Sequence, residues 1–273
     1  MPKRTGTTKS NGRKQNNDKF YTSQKTVEYC LAQIDLKSFD YIIEPSAGSG
    51  AFSKNIPGCV ALDIQPEDST IIKQDFFDFT VGSDKGKILV IGNPPFGVQN
   101  NLAIKFFNHA ATFADCIAFV LPRSFRKDSI KNKLSLDFEL TQETILNKNS
   151  FELNGTPYDV PCVFQIWAKT SQRRKLNSIR HSEIIKFVKK SNNPDFYLQR
   201  IGGNAGKVGF ETSSRSEQSN YFLKVEDLAI RNEIFEHLDT YDWGNIRNNA
   251  VGPRSISKAE IASVLYDKFP DLF

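Results

Sequence analysis

Residues 93 to 96 read Asn-Pro-Pro-Phe and follow the apolar run Ile88-Leu89-Val90-Ile91-Gly92. A buried strand that ends this way presents one amide side chain, backbone carbonyls and one aromatic ring at its tip. The Asn93 amide oxygen is a hydrogen-bond acceptor, and the Pro94 carbonyl is a second. Pro94 and Pro95 fix their own φ and bias the residue before each toward extended backbone. The acceptors are therefore held in place before any reaction, which is how fixed dipoles lower a barrier. Two such acceptors suit a planar amine: they take its hydrogens and favour the tetrahedral nitrogen that forms as it attacks an electrophile. Phe96 offers a ring face on which a base can stack. The bland alternative is a Pro-rich turn that closes a strand.

A second constellation stands upstream. Residues 41 to 52 read Tyr-Ile-Ile-Glu-Pro-Ser-Ala-Gly-Ser-Gly-Ala-Phe, a short apolar strand, a Gly-rich turn and an expected helix start. Gly48 and Gly50 permit positive φ and close approach of a ligand to the backbone. The spacing is not the Gly-x-Gly-x-x-Gly dinucleotide fingerprint, and the Lys-Ser/Thr of a phosphate loop is missing. Glu44 places a negative charge near the turn, which suits a cationic ligand better than a pyrophosphate. Next, Cys59 to Ile64 is an apolar strand carrying Asp63 near its end, about 20 residues on, where an acid meets ribose hydroxyls in nucleotide-binding α/β folds. Gln74-Asp75-Phe76 follows another apolar pair, so Asp75 is a candidate for an adenine amino group and Phe76 for its ring. Each acid taken alone also reads as a solvated strand end. Four pieces in order, each at the carboxyl end of an expected strand, mark the edge at which open α/β sheets bind ligands.

In these motifs the chain resembles the class I S-adenosylmethionine-dependent methyltransferases, in the branch that methylates amino groups of nucleic acids. The resemblance covers roughly residues 19 to 170. It matches the family's cofactor loop to Glu44-Pro45-Ser46-Ala47-Gly48-Ser49-Gly50 and the Phe52 that follows, its ribose acid to Asp63 with Ile64 beside it, and its adenine-contact acid to Asp75. The catalytic motif falls on Asn93-Pro94-Pro95-Phe96, and Phe20-Tyr21-Thr22 matches the family's Phe-Tyr-Thr cofactor motif. What this implies is S-adenosylmethionine as cofactor and adenine N6 as acceptor, with Asn93 touching both amine and cofactor. The order of motifs is similar to the gamma arrangement of adenine-N6 DNA methyltransferases, which favours DNA over RNA. Protein-glutamine N5 methyltransferases share Asn-Pro-Pro but typically end in Tyr. A catalytically inactive nucleic-acid-binding subunit is the alternative from another class.

The elements that position these residues read as alternating strands and helices. Strands are expected at about 41–44, 59–64, 71–74, 87–93 and 116–121. Helices are expected over Ser23 to Ile34, Asn100 to Ala114 and Ser124 to Leu134. Residues 138–146 and 161–169 form an expected antiparallel pair around a loop of 147–160. The fold class is α/β, a doubly wound Rossmann-like sheet of seven mostly parallel strands with a terminal antiparallel hairpin. Loop residues are substrate candidates in the methyltransferase part: Arg123 with Arg126 and Lys127 as phosphate holders, against a solvated basic helix start, and the aromatics Phe151 and Tyr158. The resemblance implies an aromatic stacking on a flipped base in this region, with Phe151 ahead of Tyr158.

From about Ser171 to Phe273 the character changes to a small module, expected to recognise substrate and to wall its cleft, with a basic stretch and a helical piece at Ile184 to Val188. The Gly-rich segment 200–207, whose Lys207 is a phosphate-contact candidate, also reads as a plain hairpin turn. The whole chain of 273 residues carries a net charge of +5. Lys3, Arg4, Lys9, Arg13 and Lys14 account for it, because the remaining 31 basic residues face 31 acidic ones. Residues 1–18 are an expected disordered basic tail, either an arm on phosphates or a solubilising or targeting tail. Cys30, Cys59, Cys116 and Cys162 are spaced for neither zinc nor a disulfide frame, and with no membrane span or secretory signal the expectation is a cytoplasmic protein. The expected partner is nucleic acid, with a partner subunit or a homodimer left open.

Overall fold

The computed structural model describes residues 21–82, 84–153, 155–177, 180–249 and 253–273. The basic tail, with Lys19 and Phe20, lies outside them. In chain order the first part holds β1 (Tyr21–Thr22), α1 (Gln24–Leu31), β2 (Tyr41–Glu44), β3 (Val60–Asp63), β4 (Ile72–Lys73), β5 (Ile88–Gly92), α2 (Asn101–Ala110), β6 (Cys116–Pro122), α3 (Asp128–Lys131), β7 (Phe138–Ile145), β8 (Phe151–Leu153), β9 (Thr156–Tyr158) and β10 (Cys162–Lys169). Seven of these strands form one sheet in the order β4-β3-β2-β5-β6-β10-β7. The first five are parallel, and β10 runs antiparallel between β6 and β7. The expected α/β sheet with its antiparallel end is what forms.

Period-two alternation sets the layers. Ile88 and Val90 of β5, with Ile117, Phe119 and Leu121 of β6, point to one face and pack against Ala103, Phe106 and Phe107 of α2. Leu89 and Ile91, with Ala118 and Val120, point to the other and meet Val27 and Cys30 of α1. All five residues of β5 and all seven of β6 are buried, as expected of parallel strands covered on both faces. Chain order reverses between β2 and β5, so the carboxyl ends at Glu44, Asp63, Gly92 and Pro122 face one crevice at the switch point.

Several expected elements take other forms. The turn after β2 does not open a helix; it closes with a single 3-10 turn, Ser53–Asn55. Pro57 and Gly58 follow at once, and Gly58 has φ +76°, so a longer helix has no room. The expected helix 124–134 is a 3-10 turn at Arg123–Arg126 followed by the four residues of α3. The expected loop 147–160 contains β8 and β9, and β8 pairs with β1 through Tyr21↔Glu152 and Thr22↔Phe151.

The remainder holds β11 (Ile185–Val188), β12 (Phe196–Gln199), β13 (Val208–Gly209), β14 (Asn220–Val225), α4 (Arg231–Thr240), α5 (Gly244–Arg247) and α6 (Lys258–Lys268). The helical piece expected at Ile184 to Val188 is strand β11, paired antiparallel with β14 from Ile185↔Val225 to Val188↔Phe222. Pairing on a ready sheet edge overrides a four-residue helical pattern. A third hydrophobic cluster joins Phe196, Leu198 and Leu223 of this sheet to Ile234, Ile261 and Leu265 of the helices. Ser257 caps α6 in a reciprocal box with Glu260.

Phe119 is fully buried at the centre of β6. Phe119→Ala should lower unfolding stability by about 3–5 kcal/mol in chemical denaturation. A loss under about 1 kcal/mol would be too small for a ring removed from such a core.

Candidate active site

The turn after β2 is built around Glu44, which is 2% exposed. Its carboxylate accepts the Phe52 N–H at 3.2 Å and the Ser53 N–H at 2.7 Å. Burial pushes the Glu44 carboxyl up to about 7, against the hydrogen bonds that favour its charged form. Asp63, at the end of β3, accepts the Gly48 N–H at 2.7 Å and the Gln65 N–H at 2.7 Å. Gly48 has φ +57° and Gly50 φ +85°, conformations an L side chain strains to adopt. The Tyr21 hydroxyl donates to Glu67 at 2.6 Å, while the Glu67 N–H donates to the Gly48 carbonyl at 3.0 Å. Burial first, then the Glu67 carboxylate, pushes the Tyr21 phenol up to about 12. Tyr21, Gly48, Asp63 and Glu67 thus share one wall. Glu67 had no signal in the sequence beyond its place after β3.

The Asn93 motif stands beside that turn. Gly92 has φ +151°, and a Cβ there would lie 3.3 Å from Glu44 Cγ and 3.6 Å from Pro45 Cδ. Ser46 Oγ donates to the Asn93 carbonyl at 3.3 Å, a direct link between the two motifs. The Asn93 Oδ1 atom is buried and has no hydrogen-bond partner among the described residues, and the same holds for Thr22 Oγ1 and Arg123 Nε. Pro94 is buried, Pro95 exposed, and Phe96 half-buried. After the motif, Gln99 and Asn100 both sit in the left-handed region, at φ 53° and 66°. Asn100 Nδ2 is held by Ser124 Oγ at 2.7 Å.

Other residues singled out in the sequence fall in different places. Ile64 is 62% exposed next to Asp63, and Ala47 and Phe52 are buried. Asp75 is exposed and caps its own turn by accepting the Phe77 N–H. Phe76 is 1% exposed, packed against Phe106, His109 and Phe113. Its ring, a candidate for the cofactor's adenine in the sequence, is packed in the core. Phe151 is fully buried in the α1-side cluster, so it has no open face for a base. Its cross-strand partner Tyr158 is 43% exposed. Arg126 pairs with Glu143 at 2.8 Å and Lys127 with Glu260 at 3.5 Å, so both act as structural ties. Lys207 is exposed in the connection between β12 and β13, the hairpin-turn alternative.

Phe96, Gly97, Gln99, Asn100, Ser124, Lys127, Ser129 and Ile130 line a cleft of about 480 Å³ together with Asn249 and Ser255. That size is typical of small-molecule sites. The second unit is fastened here: Lys127 Nζ donates to Ser255, and Arg126 Nη1 to Asn249. Among the described residues no group of three or more His, Cys, Asp or Glu is placed to hold a metal, and no helix is long and apolar enough to cross a membrane.

No family model and no curated protein matches the chain. Solved structures similar to it include one described as an RNA methyltransferase from Pyrococcus horikoshii (15% identity, TM-score 0.40, covering 53% of this chain and 84% of that one). The 23S rRNA methyltransferase ErmE is 12% identical, with a TM-score of 0.41 over 58% of this chain and 73% of that one. A modification subunit described for a type I restriction enzyme of Vibrio vulnificus is 14% identical, with a TM-score of 0.41 over 57% of this chain and 46% of that one. The fold rests on the strand order given above.

Gly92→Ala combines a strained φ with a close contact. It should cost about 1–3 kcal/mol in chemical denaturation; unchanged stability would show that the β5 end does not need its glycine.

Proposed function

We propose that the chain is an S-adenosylmethionine-dependent methyltransferase acting on the N6 amino group of adenine in nucleic acid, with DNA favoured. The single observation that carries this reading is the buried Asn93 oxygen at the carboxyl end of β5, which has no hydrogen-bond partner among the described residues. Leaving such an acceptor unsatisfied costs about 1–3 kcal/mol, and a substrate amine would satisfy it.

The residues present fit the cofactor. Thr22 Oγ1 is a second buried polar atom with no partner among the described residues, the positive-φ turn brings bare backbone to the crevice, and Asp63 with Ile64 offers an acid beside an exposed apolar surface. In this reading Tyr21, Thr22, Glu44, Pro45, Ala47, Gly48, Gly50, Asp63, Ile64 and Asp75 line or shape the cofactor side. The bound cofactor supplies an electrophilic methyl group on a sulfonium. Asn93 Oδ1 and the Pro94 carbonyl accept the amine hydrogens and favour a tetrahedral nitrogen, whose proton leaves after transfer. Pro95 holds the turn, Phe96 stacks on the base, and Arg123 and Tyr158 face the substrate. Asn at 93 and Phe at 96 favour a nucleobase over a protein glutamine, as the family resemblance implies.

Transfer of labelled methyl to matched single- and double-stranded DNA and RNA, followed by digestion and identification of the modified nucleoside, tests the reading. N6-methyladenine in one of them supports it; label in none, with cofactor bound, refutes it. Asn93→Ala should abolish transfer while cofactor affinity stays within about threefold, since the side chain acts chiefly on the amine. Equal loss of both would reassign Asn93 to the cofactor. A cation bound beside Glu44 favours its ionised form, so binding releases a proton. Cofactor affinity, followed by calorimetry, should therefore rise with pH up to about 7 and level off above it. A flat profile would place the cationic group away from Glu44.

A further inference from the structure

A chain of side-chain hydrogen bonds runs from the core of the sheet to the cleft. Trp167 Nε1 donates to Gln165 Oε1 at 3.1 Å, and Gln165 Nε2 to Glu143 Oε2 at 2.8 Å. Arg126 Nε donates to Glu143 Oε1 at 2.8 Å, and Arg126 Nη1 to Asn249 Oδ1 at 2.9 Å. Gln165 is fully buried and Asn249 is 9% exposed. Every link has a fixed direction. An arginine can only donate, so the Asn249 oxygen must face Arg126, and this settles which end of the amide is which. The Asn249 NH₂ group is then turned away from Arg126, and Asn249 lines the cleft together with Phe96 and Asn100.

We infer that Asn249 is a specificity-determining residue that donates a hydrogen bond to a ring nitrogen of the purine stacked on Phe96. This rests on the nucleobase reading above and goes beyond it, because it gives base recognition to a residue of the C-terminal unit. The cleft suits a base edge better than a phosphate. Its cationic lining residue, Lys127, is already held by Glu260 at 3.5 Å and by Ser255, while Phe96 and Ile130 add apolar wall. When Asn or Gln reads adenine through both amide ends, the NH₂ donates to a ring nitrogen; here Arg126 holds the oxygen and the NH₂ supplies that ring contact alone.

The test is binding, read by fluorescence anisotropy with S-adenosylhomocysteine present. The oligonucleotides carry adenine, 1-deazaadenine, 3-deazaadenine or 7-deazaadenine at the methylated position. Each analogue removes one ring acceptor and keeps the amine. Wild-type protein should bind one analogue at least about tenfold more weakly than adenine. Asn249→Asp keeps the acceptor for Arg126 but has no NH₂, so it should bind that analogue and adenine alike. Asn249→Ala gives the same readout without the added charge. Wild-type protein that ignores all three analogues, or discrimination that persists in both variants, overturns the inference and leaves the methyltransferase reading intact. Wild-type protein that methylates no nucleic acid removes that reading and this inference with it.

Discussion

The site depends on a single backbone constraint: the end of β5 passes close to the end of β2 at a residue with φ +151°, where a Cβ would already press on Glu44. Gly92 provides the room, with Glu44 and Pro45 on the other side of the gap. The closeness lets Ser46 reach the Asn93 carbonyl, and two motifs almost fifty residues apart become one wall. Glu44 then holds the turn by accepting two backbone hydrogens from inside the protein. Burial strips that carboxylate of water and raises its proton affinity, although its hydrogen bonds oppose the rise. The left-handed pair Gln99 and Asn100 on the far side of the motif adds local backbone strain, of a kind that concentrates at functional sites.

The sheet was legible in the sequence because parallel strands buried on both faces leave continuous apolar runs. Ile88 to Gly92 and Cys116 to Leu121 are such runs, and both form strands. The positive-φ glycines were legible for a different reason, since Gly48 and Gly50 stand where a strand must turn sharply. The connecting helices were not. Pro57-Gly58 stops the turn after Ser53–Asn55, and the segment after Pro122 divides between a 3-10 turn and the short α3. A pattern with helical spacing at Ile184 to Val188 met the open edge of β14 and became a strand.

The candidate site divides along the same line. Residues fixed by their own strand end, such as Asp63 and Asn93, could be located from local pattern. Residues fixed by distant partners could not. Phe151 and Phe76 look alike in sequence to any loop aromatic, and only packing shows that both are core. Asn249 meets Arg126 across 123 positions, so no window of sequence contains the contact. The C-terminal unit enters the cleft through that contact and through Lys127, which makes the rim of the site a joint product of both parts of the chain.

The central claim is that the Asn93 oxygen, unpartnered among the described residues, awaits a substrate amine. The most direct measurement compares the affinity for an oligonucleotide carrying adenine with one carrying purine, which lacks the amine, at the same position. It is made in wild-type protein and in Asn93→Ala, with S-adenosylhomocysteine bound. The account predicts that wild-type protein prefers adenine by about tenfold or more, and that the preference disappears in the variant. A preference of equal size in both proteins, or none in the wild type, would contradict it.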